Sequence, residues 1–149
     1  MDHFKTFTQF LLEHENNVQH KEELLGKKMY HGTVLEDWRT EEKGSYLYLT
    51  DDIELAKYFG IGRAEGRVFS EHSDKRGESC TGVVFEITIN QDIIKLDWNA
   101  DSDYEWMKTW IDSYNEIGRF VISGDFDMSK FKIVYREVVT SKSEVKYDY

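Results

Sequence analysis

The chain has 149 residues with no proline, 29 acidic and 19 basic residues, and a net charge of −10. The absence of proline excludes polyproline segments and proline-rich linkers, and the negative charge disfavours general binding to nucleic-acid phosphates. A lone cysteine, Cys80, excludes a disulfide framework and a thiolate-rich metal site. The composition predicts one folded, acidic, cytoplasmic domain with no signal peptide and no membrane span.

The chain is predicted to open with an amphipathic helix over residues 2–26. Its apolar residues recur at spacings of three, four and seven, and Gly26 is a suitable stop. We expect this helix to pack on the body of the protein. After residue 26 the spacing of the apolar residues no longer fits a helix. Residues with strand propensity predict two strands, and the acidic Asp51-Asp52 pair predicts the start of a helix. These elements are strands over 27–33 and 46–50 and a helix over 51–59.

Residues 60–81 contain four glycines and many charges but few apolar residues, which predicts a long surface loop. After this loop the predicted elements are strands over 82–89 and 93–98, a helix over 101–115, strands over 120–123 and 131–139, and a frayed tail over 141–149. Strands separated by short helices, without regular helical crossovers, indicate an α+β fold with a largely antiparallel sheet.

The sequence predicts no metal site and no thiol nucleophile. His14 and His20 are six residues apart on a helix and point to different faces, and no HxxxH or CxxC pair is present. Cys80 has only His72 nearby in sequence as an activating partner, so it is interpreted as a buried or incidental thiol.

His31 is distinguished by its neighbours, since it follows Tyr30 near the end of a predicted strand and precedes Gly32 and Thr33. A glycine directly after a histidine lets a ligand approach the backbone closely. The threonine hydroxyl adds a hydrogen-bond donor and acceptor. A core histidine beside a turn is the alternative interpretation.

Two motifs in this order resemble the ADP-ribosyltransferase superfamily, in the branch shared by diphtheria-type toxins and poly(ADP-ribose) polymerases. They are YHGT (30–33) on a strand, and YLTD (48–51) leading into a helix that carries Tyr58. In that family the two motifs form the nicotinamide pocket. The resemblance implies a split antiparallel β-sheet core over residues 27–140, with the helix over 1–26 outside the core pattern.

The resemblance implies an NAD-dependent mono-ADP-ribosyltransferase that modifies a protein or other macromolecular target and releases nicotinamide. The backbone at Gly32 would bind the nicotinamide carboxamide, and His31, followed by Thr33, would hold the adenosine-ribose hydroxyls. Tyr48 and Tyr58 would sandwich the nicotinamide ring. NAD would be a co-substrate, and no membrane partner is implied.

Four basic residues of the predicted loop are interpreted either as contacts for the NAD pyrophosphate or as an ordinary solvated surface. They are Arg63, Arg67, Lys75 and Arg76.

The expected catalytic glutamate is missing from its usual place. Active members of the family carry a Glu at the start of the penultimate strand, where it grips the ribose 2′-hydroxyl and stabilises an oxocarbenium-like centre. Here that position holds Arg119. Glu116 would be catalytic if the strand started differently. Otherwise Glu137 or Glu105 would supply the charge, or the transfer would run without this carboxylate, as in mono-ADP-ribosylating relatives that lack it.

Two alternatives to this function are open. A catalytically inactive fold of the same kind would act as an acidic protein-binding inhibitor module. Its contact would be the stretch Asp97–Glu105 with the aromatic residues Trp98, Tyr104 and Trp106, which is otherwise an ordinary acidic helix start. The RNA 2′-phosphotransferases share the fold, and Arg119 would suit their phosphate, but the net charge of −10 does not suit RNA.

Overall fold

A computed structural model of the chain describes residues 8, 17–38, 46–70, 78–101 and 104–143. These ranges form an α+β fold around a six-stranded antiparallel sheet, with strand order β4-β5-β2-β1-β3-β6. The strands are Lys28–Val34 (β1), Tyr46–Thr50 (β2), Cys80–Thr88 (β3), Asp97–Ala100 (β4), Arg119–Ser123 (β5) and Lys132–Val139 (β6). The helices are residues 17–22 (α1), Leu35–Trp38 (α2), Ile53–Phe69 (α3), Gln91–Ile94 (α4) and Trp110–Ile117 (α5), with a 3-10 turn at Met128–Lys130.

The sheet contributes to two apolar clusters. The larger one includes Trp98, Trp110 and Phe120; the rings of Trp98 and Phe120 stack with centroids 4.4 Å apart. The smaller cluster lies where α3 meets the ends of β1, β3 and β6, and it buries Cys80. Burial of apolar surface in these clusters stabilises the fold.

The surface loop predicted for residues 60–81 is wrong over residues 60–69, which continue α3 as far as Phe69. Residues 71–77 lie outside the described residues. The segment looks loop-like because two of its buried positions, Gly60 and Gly62, are glycines. At least one of them is required for packing rather than for a turn. A Cβ built on Gly60 would lie 2.7 Å from the Val83 carbonyl oxygen of β3.

Two further glycines show that α3 packs backbone against backbone on the sheet. A Cβ on Gly32 of β1 would lie 1.8 Å from the Ala56 carbonyl oxygen, and one on Gly82 of β3 would lie 2.8 Å from the Ile61 Cα. Since no Cβ fits at Gly32, Gly60 or Gly82, the helix lies closer to the strands than side chains would allow.

The structure differs from two other predicted elements, and in both cases a side chain that caps a helix explains the difference. The strand predicted over 93–98 is instead the end of α4 followed by β4, because the Asn90 side chain accepts a hydrogen bond from the Ile93 N–H at 3.0 Å and starts a helix. The helix predicted over 101–115 begins only at Trp110, where the Thr109 hydroxyl caps it. Tyr104, expected inside that helix, is 66% exposed.

The end of the N-terminal helical segment is attached by polar contacts to the residue before β4 and to α5. Lys21 Nζ donates to the Leu96 carbonyl at 2.9 Å, and burial lowers the pKa of this lysine. Asn17 Oδ1 accepts from the Trp110 indole N–H at 2.6 Å. Gly26 has a φ of +84° at the end of the following turn. Most of the predicted helix before residue 17, and the tail after residue 143, lie outside the described residues.

None of the helices in the described ranges is both long enough and apolar enough to cross a bilayer.

Candidate functional site

The sheet opens between its two middle strands. β1 pairs with β3 along its whole length, from Lys28 opposite Thr88 to Val34 opposite Gly82. In contrast, β1 and β2 share a single paired position, Tyr30 opposite Thr50. Beyond this pair the two strands diverge, and their backbone groups no longer form a regular ladder.

Side chains bridge this opening in place of the ladder. The His31 Nδ1–H donates to the Tyr48 carbonyl oxygen at 2.9 Å. In return, the Tyr48 hydroxyl donates to the Gly32 carbonyl oxygen at 2.5 Å. The rings of His31 and Tyr48 are in contact, with centroids 4.5 Å apart. The structure therefore brings His31, Gly32 and Tyr48, three of the predicted site residues, into one network.

The network fixes the protonation state of His31. A carbonyl oxygen only accepts, so the hydrogen of the neutral imidazole lies on Nδ1 and Nε2 is an acceptor. Burial, opposed by the hydrogen bond to Tyr48 and assisted by the charge of Arg63, lowers the pKa of His31 to about 4. At neutral pH His31 is an uncharged, oriented acceptor.

A second aromatic side chain joins the network from α3. The Phe59 ring meets the Tyr48 ring edge-on, with centroids 5.1 Å apart. Tyr58, the residue predicted for this role, lies against Phe59 at 5.7 Å. The sequence does not single out Phe59, because the choice between two adjacent aromatic residues depends on the rotation of the helix about its axis.

Thr33 lies on the same strand but is fully buried. Its hydroxyl oxygen has no hydrogen-bond partner among the described residues. In this conformation Thr33 lies beneath the network and is not exposed to a ligand.

Arg119 stands at the start of β5, as the count along the sequence predicts. α5 continues through Ile117, and Gly118, with a φ of +67°, ends it directly before the strand. The shift that would place Glu116 on the strand does not occur, and Glu116 is exposed on the last turn of α5. Arg119 Nε lies 3.7 Å from Asp101 Oδ2, and burial raises the pKa of Asp101 against the opposing charge of Arg119.

The other two candidate carboxylates lie elsewhere. Glu137 is half-buried on β6, where it accepts from the Tyr135 hydroxyl at 3.4 Å. β6 is adjacent to β3 and to neither β1 nor β2. Glu105 is exposed in the segment that precedes α5.

The four basic residues expected near a pyrophosphate have different environments. Arg63 is close enough to His31 for its charge to affect that pKa. Arg67, on the same helix, forms a bidentate ion pair with Asp37. Lys75 and Arg76 lie outside the described residues. Of the two described basic residues in this set, Arg63 is the one whose charge acts on His31.

Within the described residues, no group of three His, Cys, Asp or Glu side chains is arranged to hold a metal ion. A separate cavity of about 640 Å³ lies at the ends of β3 and β5, beneath the connection from β5 to β6. Its lining contains neither His31 nor Tyr48 and carries charges of both signs, including Glu86, Asp97 and Lys132.

Comparison of the chain with protein-family models, with curated proteins and with solved structures found no match. The site is therefore interpreted from its own residues and their geometry.

Proposed function

We propose that the chain is an NAD-dependent mono-ADP-ribosyltransferase that transfers ADP-ribose to a protein or other macromolecular acceptor. The observation that carries this proposal is the network of His31, Gly32 and Tyr48 at the opening between β1 and β2. A sheet that separates at its two middle strands also fits the split core that the sequence motifs imply.

The network offers the groups that the donor requires. The proposed acceptor for a ribose hydroxyl is Nε2 of the neutral His31, which is buried in this structure, so NAD would have to displace the side chains that cover it. The Gly32 carbonyl is an acceptor for the carboxamide N–H of nicotinamide. Tyr48, with Tyr58 or Phe59 from α3, provides flat apolar faces for the nicotinamide ring. Arg63, whose charge acts on His31, would add a positive charge for the pyrophosphate.

The reaction is a displacement at C1′ of the nicotinamide ribose. The bond from C1′ to the ring nitrogen breaks, its electron pair stays on that nitrogen, and neutral nicotinamide leaves. A nucleophile of the acceptor forms the new bond to C1′ and loses its proton to solvent. The proposed role of the site is to bind and orient NAD, since positioning alone accounts for a large share of such a rate enhancement.

Arg119 is consistent with single rather than repeated transfer. It occupies the position of the expected glutamate and is ion-paired with Asp101. The proposed reaction therefore runs without a carboxylate at the start of β5. Separate Glu116→Gln, Glu137→Gln, Glu105→Gln and Asp101→Asn variants identify any acid that contributes.

The same ion pair favours the second candidate function, an inactive fold that binds a partner protein. If neither NAD binding nor transfer is found, this candidate is preferred. Its contact differs from the one predicted from the sequence: Trp98 is buried in the larger core at 7% exposure and is not available to a partner. Tyr104 and Trp106 remain exposed.

The first test is binding of NAD to the unmodified protein. We expect NAD to raise the thermal unfolding temperature, and NAD labelled in its adenylate part to transfer label to protein in a lysate. The proposal fails if saturating NAD leaves the unfolding temperature unchanged.

The second test distinguishes the effect of the Tyr48 ring on NAD binding from the effect of its hydroxyl. Tyr48→Ala removes the apolar face and is expected to weaken NAD binding and abolish labelling. Tyr48→Phe keeps the face but removes the hydroxyl that occupies the Gly32 carbonyl. It is expected to tighten NAD binding by about two- to tenfold, as a released hydrogen bond implies. Isothermal calorimetry measures both effects.

The matched control is Tyr46→Phe, because Tyr46 is on the same strand and is 73% exposed. Its affinity for NAD is expected to be unchanged. Equal affinities for the Tyr48→Phe and unmodified proteins would contradict the role given to the Gly32 carbonyl.

A further inference from the structure

Two large aromatic side chains are displayed on the surface between β4 and α5. Tyr104 is 66% exposed and Trp106 is 59% exposed. Their rings stack on one another with centroids 6.2 Å apart and an angle of 15° between their planes. Trp98 and Trp110 are buried in the core, and a pair of exposed aromatic rings is typical of binding surfaces.

The turn that carries the pair is anchored in the core by its next residue. Met107, the next residue after Trp106, is only 2% exposed. Its N–H donates to the Tyr104 carbonyl oxygen at 3.0 Å and closes a turn. Trp110, which starts α5, is buried in the larger core. The aromatic rings therefore project from an anchored turn, so a ligand pays little conformational entropy to meet them.

The surroundings of the pair are acidic. Glu105 lies between the two aromatic residues in sequence, and Asp112 and Glu116 are exposed one turn apart on α5. Residues 97–116 contain one basic residue, Lys108, and six acidic ones, which are Asp97, Asp101, Asp103, Glu105, Asp112 and Glu116. The local charge repels phosphate groups and a second copy of this acidic chain, and it attracts cations.

We propose that Tyr104 and Trp106 form a docking surface, here called the aromatic patch, for an arginine- and lysine-rich segment of a partner protein. A guanidinium group stacks on the face of an aromatic ring, and arginine does so better than lysine because it is planar and more weakly hydrated. Glu105, which lies between the two rings in sequence, and the acidic residues of α5 attract the segment.

The aromatic patch is independent of the proposed NAD site. It shares no residue with the network of His31, Gly32 and Tyr48, and binding at the patch requires no NAD. Failure of the NAD experiments therefore leaves this proposal standing, and the reverse is also true.

The test uses fluorescein-labelled octa-arginine and octa-lysine, with fluorescence anisotropy at low and high salt and no NAD present. We expect octa-arginine to bind more tightly than octa-lysine, and both to bind more weakly at high salt. The Tyr104→Ala/Trp106→Ala double variant is expected to bind octa-arginine about five- to thirtyfold more weakly, which corresponds to two exposed cation–π contacts. Trp106→Phe, which keeps an aromatic face, retains most of the affinity.

Two control variants distinguish the contribution of the aromatic patch to peptide binding from that of the negative charge. Tyr46→Ala removes an exposed aromatic residue on β2 and is expected to leave the affinity unchanged. Glu105→Gln/Glu116→Gln is expected to weaken binding of both peptides and to reduce its salt dependence, while octa-arginine remains the tighter ligand.

The proposal is overturned if the double aromatic variant, with an unchanged thermal melt, binds octa-arginine as the unmodified protein does. It is also overturned if octa-arginine and octa-lysine bind equally, or if neither binds at low salt, because charge alone would then account for the interaction or no interaction exists.

Discussion

Gly32→Ala is expected to lower the free energy of unfolding by roughly 3 kcal/mol or more, near the upper end of the overpacking range. The new Cβ would lie 1.8 Å from the Ala56 carbonyl oxygen, which belongs to the backbone of α3 and has no rotamer to change. α3 would have to move away from β1. Because β1 also carries His31, the same variant is expected to lose the site.

Gly60→Ala tests the close packing of α3 on the sheet through a substitution in the helix. Its Cβ would lie 2.7 Å from the Val83 carbonyl oxygen, so we expect a loss of stability. The loss is smaller than at Gly32, because alanine is favoured over glycine within a helix by about 1 kcal/mol.

The matched control is Gly66→Ala, later in the same helix, where the residue is half-exposed. This variant is expected to be neutral or to gain up to ~1 kcal/mol from helix propensity. Urea unfolding monitored by circular dichroism measures all three proteins. A Gly32→Ala protein as stable as the unmodified one would contradict the close packing of α3 on the sheet.

The strands were the most predictable part of the fold, because their evidence is local. Alternation and β-branched residues indicated β3, and its predicted range of 82–89 overlaps the observed Cys80–Thr88. The extension of α3 was not predictable in this way. Its contact with the sheet is made partly by glycine and backbone, and the buried apolar side chains of residues 60–69 are Ile61, Ala64 and Val68 alone, so the apolar periodicity that indicates a buried helix is sparse.

Single capping side chains account for the other errors. Asn90 and Thr109 decide where α4 and α5 begin, and each does so through one hydrogen bond to a backbone N–H. The apolar residues around them fit either a strand or a longer helix. A pattern of hydrophobic residues therefore does not determine these boundaries.

The candidate site was partly predictable, because its two motifs are also local patterns in the sequence. The YHGT and YLTD motifs place His31 and Tyr48 on two strands, and the sheet brings them to 2.9 Å through a side-chain to backbone hydrogen bond. The phase of α3, which puts Phe59 against Tyr48, depends on the glycine contacts with β1 and β3. No local pattern in the sequence carries that information.

Protonation of His31 is expected to destabilise the protein in mild acid. The pKa of this buried side chain is lowered from 6.5 to about 4, so between these values the unfolded chain holds a proton that the folded chain does not. Stability therefore falls as the pH decreases from about 6.5 to about 4, and it rises as the pH increases through the same window. Lowering the pKa from 6.5 to about 4 corresponds to a loss of roughly 3 kcal/mol of stability over this pH window.

The measurement is the free energy of unfolding in urea at pH 7 and at several lower values, for the unmodified protein and for His31→Gln. Carboxylates also titrate in this range, so the informative quantity is the difference between the two proteins. We expect the variant to be less stable at neutral pH and the difference to shrink toward pH 4. His20→Gln, at a side chain that is 47% exposed, is the control histidine substitution.

A difference that stays constant with pH would show that the pKa of His31 is the same in the folded and unfolded chain, and it would contradict a buried, neutral His31. A difference that closes toward pH 4 means that His31 stays neutral throughout the physiological range. In that case the ring is uncharged at any cellular pH, and NAD affinity should not change between pH 8 and about pH 5 on account of this residue.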